Sequence, residues 1–212
     1  MILRNIQHNW CLFRAIRLVA IASGLLLLAA SSYARTGIQK ETMTTNSQTQ
    51  PASCEGIGSA SSEQRSKQLG IALPAPPEPF GLNVEAVQTG NLLFLSGTLP
   101  TEGRAAKVIG RVGAELDLEA GQRAAHLAAL NVLAVARKHL GSRDRVMGGV
   151  RLGVSVATFG DVRDQPEVAD AASALFEDVF GKDKIPCRRV NGVAGLPLGT
   201  PVELEVVFEV AA

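Results

Sequence analysis

Aromatic residues make up only 4% of this 212-residue chain, with one Trp and one Tyr. Stacking platforms for single-stranded nucleic acid are therefore scarce. Neither sign of charge is in excess: 21 Lys and Arg against 20 Asp and Glu leave a formal net charge of +1. That balance argues against a general nucleic-acid binder, which presents a strongly basic face. The three cysteines, Cys11, Cys54 and Cys187, lie far apart, and no CxxC or Cys/His spacing suited to zinc occurs. Of the three histidines, His126 and His139 fall in one helical segment but are not spaced i, i+4, so no helical metal pair forms. No metal and no cofactor is expected. A disulfide framework is not expected either.

Long hydrophobic runs are also missing, apart from "LVAIASGLLLLAA" at residues 18–30. This run is short of the roughly 20 apolar residues that a membrane-spanning helix needs. It follows Arg4, Arg14 and Arg17 and precedes "SSYAR", which places Ser32 and Ala34 as small residues before a cleavage point. Residues 1–34 therefore read as a signal peptide, with an uncleaved anchor as the alternative. An exported protein, periplasmic or secreted, is the corresponding expectation. Initiation at Met43 would instead leave a cytoplasmic one. Residues 35–62, rich in Thr, Ser, Gln and Gly, carry too few apolar side chains to offset their ordering entropy and read as a disordered linker.

What is present begins near residue 63 and runs to residue 212. "SEQRSKQLG" predicts a short helix stopped by Gly70, and "LPAPPEPFG" predicts an extended lead-in. "NVEAVQTGNLLFLSG" predicts a hairpin with strands near 83–88 and 91–96 around Thr89-Gly90. A further short strand is expected over 107–112. "LDLEAGQRAAHLAALNVLAVARKHLGS" carries apolar residues at helical spacing, with Lys138 and His139 in its last turn and Gly141 closing it. Arg145–Phe159 predicts a long Val-rich strand whose Gly148, Gly149 and Gly153 mark a bulge or close packing. "DQPEVADAASALFEDVFG" predicts a second long helix, with Asp164 and Glu167 as a capping box and Gly181 as its stop. Strands near 188–194 and 201–210 finish the chain. In the last, Val202, Leu204, Val206, Phe208 and Val210 share one face, and Glu203, Glu205 and Glu209 the other. The fold class is α/β: a mixed sheet with two helices on one face. The other face holds Val and Gly and calls for a partner.

Three passages together resemble the RidA/YjgF family, also called endoribonuclease L-PSP or chorismate-mutase-like. They are "AVQTGNLLFLSGTLP", "DQPEVADAASALFEDVFG" and "CRRVNGVAGLPLGTPVELE". The resemblance covers residues 64–212, and the proline-rich lead-in and "GAELDLEAGQRAA" point to the branch that carries the endoribonuclease label. It implies a homotrimer with clefts between neighbours, and hydrolysis of reactive enamine or imine intermediates to 2-keto acids and ammonia. By motif position it implies that Arg188 holds a substrate carboxylate, that Glu203 stands near the hydrolytic water, and that Ser96 and Gly97 form a pocket wall. Where the family's deaminases carry a pocket tyrosine, this chain has Asn83. Where their arginine is followed by Ser and often Cys, it has Arg189 and Val190.

The chemistry fits these roles. A guanidinium fork matches a carboxylate with two parallel bonds, and a shielded carboxylate can deprotonate a water for attack on an imine carbon. The opening of the last turn, with Arg188 before it and Glu203 after it, leads us to expect both groups in one cleft, partly compensating each other. Arg189 is read as a surface or interface arginine, and Cys187 as a small buried residue at a strand start. Ser96 has no partner His for a hydrolase triad. The expected partners are a small carboxylate-bearing metabolite and further copies of the chain; any membrane contact would run only through residues 1–34. Two other functions compete: a non-catalytic trimer that binds such a metabolite, and a ribonuclease.

Overall fold

The computed structural model describes residues 60–212; the expected signal segment, and all but the last residues of the expected linker, lie outside the described residues. The short N-terminal helix α1 spans Ser62–Gln68. The side chain of Ser61 accepts from Gln64 N, and Gln64 reaches back to Ser61 N, a reciprocal cap. The extended lead-in follows, with Ile71 and Leu73 packed against the core. Strands β1 (Ala86–Thr89) and β2 (Leu92–Thr98) form the expected hairpin, with Thr89 opposite Leu92 and Gly90 at φ +57° in the turn.

The strand expected over 107–112 does not form. In its place are a two-rung hairpin, β3 (Thr101–Glu102) with β4 (Ala105–Ala106), and then an irregular passage in which Val112 makes only single bridges to Leu116 and Thr158. Gly110 and Gly113, at φ +126° and +87°, turn the chain on either side of Val112 and stop a ladder from growing.

Helix α2 spans Leu118–Leu140, capped by Asp117, whose side chain accepts from Ala120 N at 2.7 Å; a cap of this kind is worth about 1 kcal/mol. Its inward face is largely alanine, with Ala124, Ala125, Ala128, Ala129 and Ala136 buried, which lets it lie close to its neighbours. Strand β5 (Val146–Ala157) carries register shifts between Val146 and Gly148 and between Gly149 and Arg151, as its glycines predict. At Gly149 a Cβ would lie 2.6 Å from Pro186 Cδ, so only glycine fits there. Helix α3 spans Gln165–Phe180. The expected capping box is absent: Asp164 sits at the cap position but makes no side-chain bond there, and Pro166 in the first turn sets the helix start instead.

Strands β6 (Cys187–Val193) and β7 (Val202–Val210) complete a five-stranded sheet in the order β1-β2-β7-β5-β6. Only the β5–β6 pair is parallel, joined by the α3 crossover. Helices α2 and α3 cover one face. Phe176, Phe180 and Phe208 meet there in tilted and edge-on contacts with centroids 5.4–6.3 Å apart. Fully burying a side chain of this kind contributes about 2–3 kcal/mol. The second face is uncovered among the described residues. It presents the row Val87, Phe94 and Val207 across three strands, beside Arg151, Glu203 and Glu205.

Candidate functional site

The strand alternation of β7 decides which groups can meet. Val202, Leu204, Val206 and Phe208 are fully buried in the core, so Glu203 and Glu205 stand on the uncovered face. Opposite β7, strand β2 carries one extra residue: Leu95 pairs with Val206 but Thr98 pairs with Leu204. Ser96 and Gly97 form this bulge, a device that re-aims side chains next to functional sites. Ser96 N donates to Glu85 O at 3.0 Å, and Ser96 Oγ donates to Val84 O. The hydroxyl therefore fixes the bulge.

Gly97 leaves the notch into which Glu203 folds. A Cβ at position 97 would overlap Glu203 Oε1 and come within 2.9 Å of its Cδ. The Glu203 carboxylate has no hydrogen-bond partner among the described residues, and it lines two cavities at once. One, of about 220 Å³, gathers Asn83, Ser96, Gly97 and Glu203 with the lead-in. The other, of about 270 Å³, lies along the open sheet face and gathers Gly97, Glu203 and Glu205 with Arg151, Arg189 and Asn191. Burial pushes the Glu203 carboxyl up from its ordinary range, and the neighbouring Glu205 charge pushes it further the same way. Such a carboxylate takes and returns a proton nearer to neutral pH than a solvated one does.

Four of the five expected site residues, Asn83, Ser96, Gly97 and Glu203, thus share one cavity. Arg188 does not join them within one chain. It is in register with Leu152, a core residue, whereas Glu203 is in register with Ser155 on the opposite face. Within one chain, therefore, Arg188 and Glu203 do not compensate each other. The acid beside Arg188 is Asp170 on α3, with Nη1 donating to Asp170 Oδ1 at 2.6 Å and to Ser173 Oγ at 3.0 Å. Both bonds use Nη1, so the Nε–Nη2 edge of the guanidinium has no partner among the described residues. Arg188 is an arginine already aimed, on the outermost strand, with its bidentate edge free.

Arg189, one residue on, falls on the open face and lines the cavity with Arg151, a neighbour that the sequence reading missed. The signal was available in principle: β5 and β6 run parallel, so a short alternating stretch on each brings their arginines together. Cys187 is exposed rather than buried, its thiol donating to Val150 O at 3.0 Å, because β6 is an edge strand and no other described residue pairs with its outer rim. His126 and His139 are exposed on α2, and neither lines either cavity. Asn131 was also missed. Buried mid-helix, it donates through Nδ2 to Leu99 O and Thr101 O, both at 2.9 Å, and so fixes the chain where it leaves β2. A lone Asn inside "LAALNVLAV" is the trace that it leaves in the sequence.

No protein-family model matches the chain. Among curated proteins, Protein TCP17 of Trypanosoma cruzi is 38% identical over 144 residues, which is 68% of this chain and 90% of that protein. A 2-iminobutanoate/2-iminopropanoate deaminase of Dermatophagoides farinae is 30% identical over 137 residues, 65% of this chain and 92% of the deaminase. Among solved structures, a protein of unknown function from Agrobacterium tumefaciens superposes with a TM-score of 0.64 at 34% identity, covering 71% of this chain and 92% of its own. With the bulged "LSG" strand, the paired helices and the mixed sheet in place, these likenesses show that the chain belongs to the RidA/YjgF family.

Proposed function

We propose that the protein hydrolyses reactive imines of the 2-imino acid type to 2-keto acids and ammonia, at sites shared between copies of the chain. The observation that carries this reading is the Glu203 carboxylate, held without a hydrogen-bond partner among the described residues in the Gly97 notch and raised in pKa by burial. Its chemistry is that of a base for water. The kinship with an iminobutanoate deaminase supplies the substrate class.

In the proposed cycle, an iminium, R–C(=NH2+)–COO−, rests with its carboxylate on the free Nε–Nη2 edge of Arg188. Glu203 takes a proton from a water as the oxygen bonds to the imine carbon, giving a carbinolamine. The protonated Glu203 then gives that proton to the nitrogen. The C–N bond breaks to release ammonia, the hydroxyl proton passes to the carboxylate as the C=O forms, and Glu203 hands that proton to the departing ammonia, which leaves as ammonium. Water and iminium are thereby converted into keto acid and ammonium. No covalent enzyme intermediate is needed; holding the reactants and meeting the developing charge suffice.

Because Arg188 and Glu203 lie on opposite faces of one sheet, the clamp for one Glu203 comes from the edge strand of a neighbouring copy. The uncovered apolar row supports such association: Val87 is 51% and Phe94 41% exposed, with Met147 and Val150 also open to solvent on β5. A ring of three copies, each giving its β6 edge to the next, satisfies both requirements.

The test is ammonia and keto-acid release from imines generated in situ by an amino-acid oxidase. Arg188→Ala and Glu203→Gln are each expected to lower turnover about 100-fold. Co-refolding the two inactive proteins in equal amounts should regenerate about a quarter of the sites, since each site draws one residue from each of two copies. Undiminished turnover in Glu203→Gln, or no recovery on mixing, would overturn the shared site.

A further inference from the structure

The cavity behind Glu203 is larger than the smallest imino acids require. We infer that it is a side-chain chamber which selects 2-imino acids with an apolar chain of about four to six carbons, and that the proline-rich lead-in is the specificity-determining wall. The inference rests on the imine-hydrolase reading for its reaction but not for its binding preference.

The chamber is walled by Pro77, Pro79 and Phe80 of the lead-in, by Leu99 after β2, by Val135 of α2 and by Pro197 before β7. Its volume of about 220 Å³ is room for roughly seven water-sized groups. A three-carbon imino acid whose carboxylate rests on an arginine outside would place only its imine carbon, nitrogen and methyl group here. Most of the remaining wall is apolar, where water is held poorly and methylene groups well; the carboxylates of Glu78 and Glu85 also line it, paired with Arg104 and Lys138. Thr101 joins Asn83, Ser96 and Thr98 as a polar residue of the same lining, and its buried Oγ1 has no hydrogen-bond partner among the described residues.

The lead-in is built to hold this wall in place. Pro74, Pro76, Pro77 and Pro79 fix its backbone in an extended form at small entropic cost. Its start is anchored by Ile71 and Leu73 in the core. Its far end is held by Arg104 from the β3–β4 turn, whose guanidinium lies 5.8 Å from the Phe80 ring centroid and 3.6 Å from Glu78 Oε2. Phe80, 40% exposed, both lines the chamber and carries Arg104 over its ring.

Each methylene moved from water onto an apolar wall improves binding about fourfold. The full-length protein should therefore show kcat/KM for imines made from norleucine or leucine at least about tenfold above that for the imine made from alanine. Phe80→Ala should flatten this ratio to below about threefold, with the melting temperature measured alongside to show that the variant folds. In parallel, binding of 2-oxohexanoate and of pyruvate is measured by calorimetry, which needs no turnover. Preferential binding of 2-oxohexanoate without ammonia release from any imine would uphold the chamber and remove the hydrolase reading. Ammonia release with no chain-length preference would do the reverse. Absence of chain-length dependence in both readouts, or a ratio unmoved in Phe80→Ala, overturns the inference.

Discussion

Two carboxylates, Glu63 and Glu203, at opposite ends of the described residues, are drawn out of water and treated in opposite ways. Glu63, in α1, takes Arg143 through both oxygens: Nη2 donates to Oε2 at 2.6 Å, and Nε and the backbone N donate to Oε1 at 3.2 and 3.3 Å. Arg137 stands 3.3 Å from the same Oε1, and Arg143 is itself buried. The Arg143 bond holds the Glu63 carboxyl below its ordinary range. Glu203 has burial and a like charge beside it, no hydrogen-bond partner among the described residues, and a carboxyl pushed upward. The first arrangement fastens α1 across the junction of α2 and β5, with Arg65 fastening it to α3 through Asp178 O. The second leaves a group at a free-energy disadvantage in its charged form. A fold that satisfies one acid fully and starves another favours the second as the base we propose.

The comparison breaks most visibly at Glu63. Glu63→Ala strands a buried guanidinium and should cost about 3 kcal/mol in urea unfolding at pH 7, while the imine turnover of the protein that remains folded is unchanged. In the parent protein this contribution is present above the ordinary carboxylate range and is lost as pH falls through the lowered Glu63 value; the variant should lack that acid-side loss. Next in size, Gly97→Ala should reduce turnover roughly 100-fold by pushing the carboxylate from its notch, with a much smaller change in the urea midpoint. Arg65→Ala, which removes a charged donor from the α3 carbonyls, should cost about 1 kcal/mol. The smallest effect sharpens the contrast. Glu203→Gln should be slightly more stable than the parent at pH 7, because a neutral amide escapes the penalty on a shielded charge. That advantage should shrink as pH falls through the raised Glu203 value and vanish below the ordinary carboxylate range, as thermal melts at several pH values would show.

The regular elements were legible because their signals are periodic and local. The alternation over Val202–Val210 and the helical spacing over Leu118–Leu140 each follow from which side chains must leave water. The bulge glycines of β5 could be read for the same reason. The strand expected at 107–112 failed because two glycines at positive φ outweigh a short apolar run. At the site, motif position led to Glu203, Ser96, Gly97 and Asn83, and these do share a cavity. The sequence could not reveal that Arg188 and Glu203 are on opposite faces. Their relation depends on the parity of residues counted through β6, a turn and β7, and on how β5 lies between the two strands. The roles of Asn131 and Arg151 depend on contacts distant in sequence and leave only faint local traces.

The extra residue at Ser96–Gly97 has one more implication. Deleting either residue would let β2 run straight along β7, restore a missing rung and smooth the sheet. It would also close the recess that receives the Glu203 carboxylate. If Glu203 is the base we propose, a tidier ladder and a working site exclude each other at this position, and a screen that rewards thermal robustness alone would drift toward the straightened, inert form.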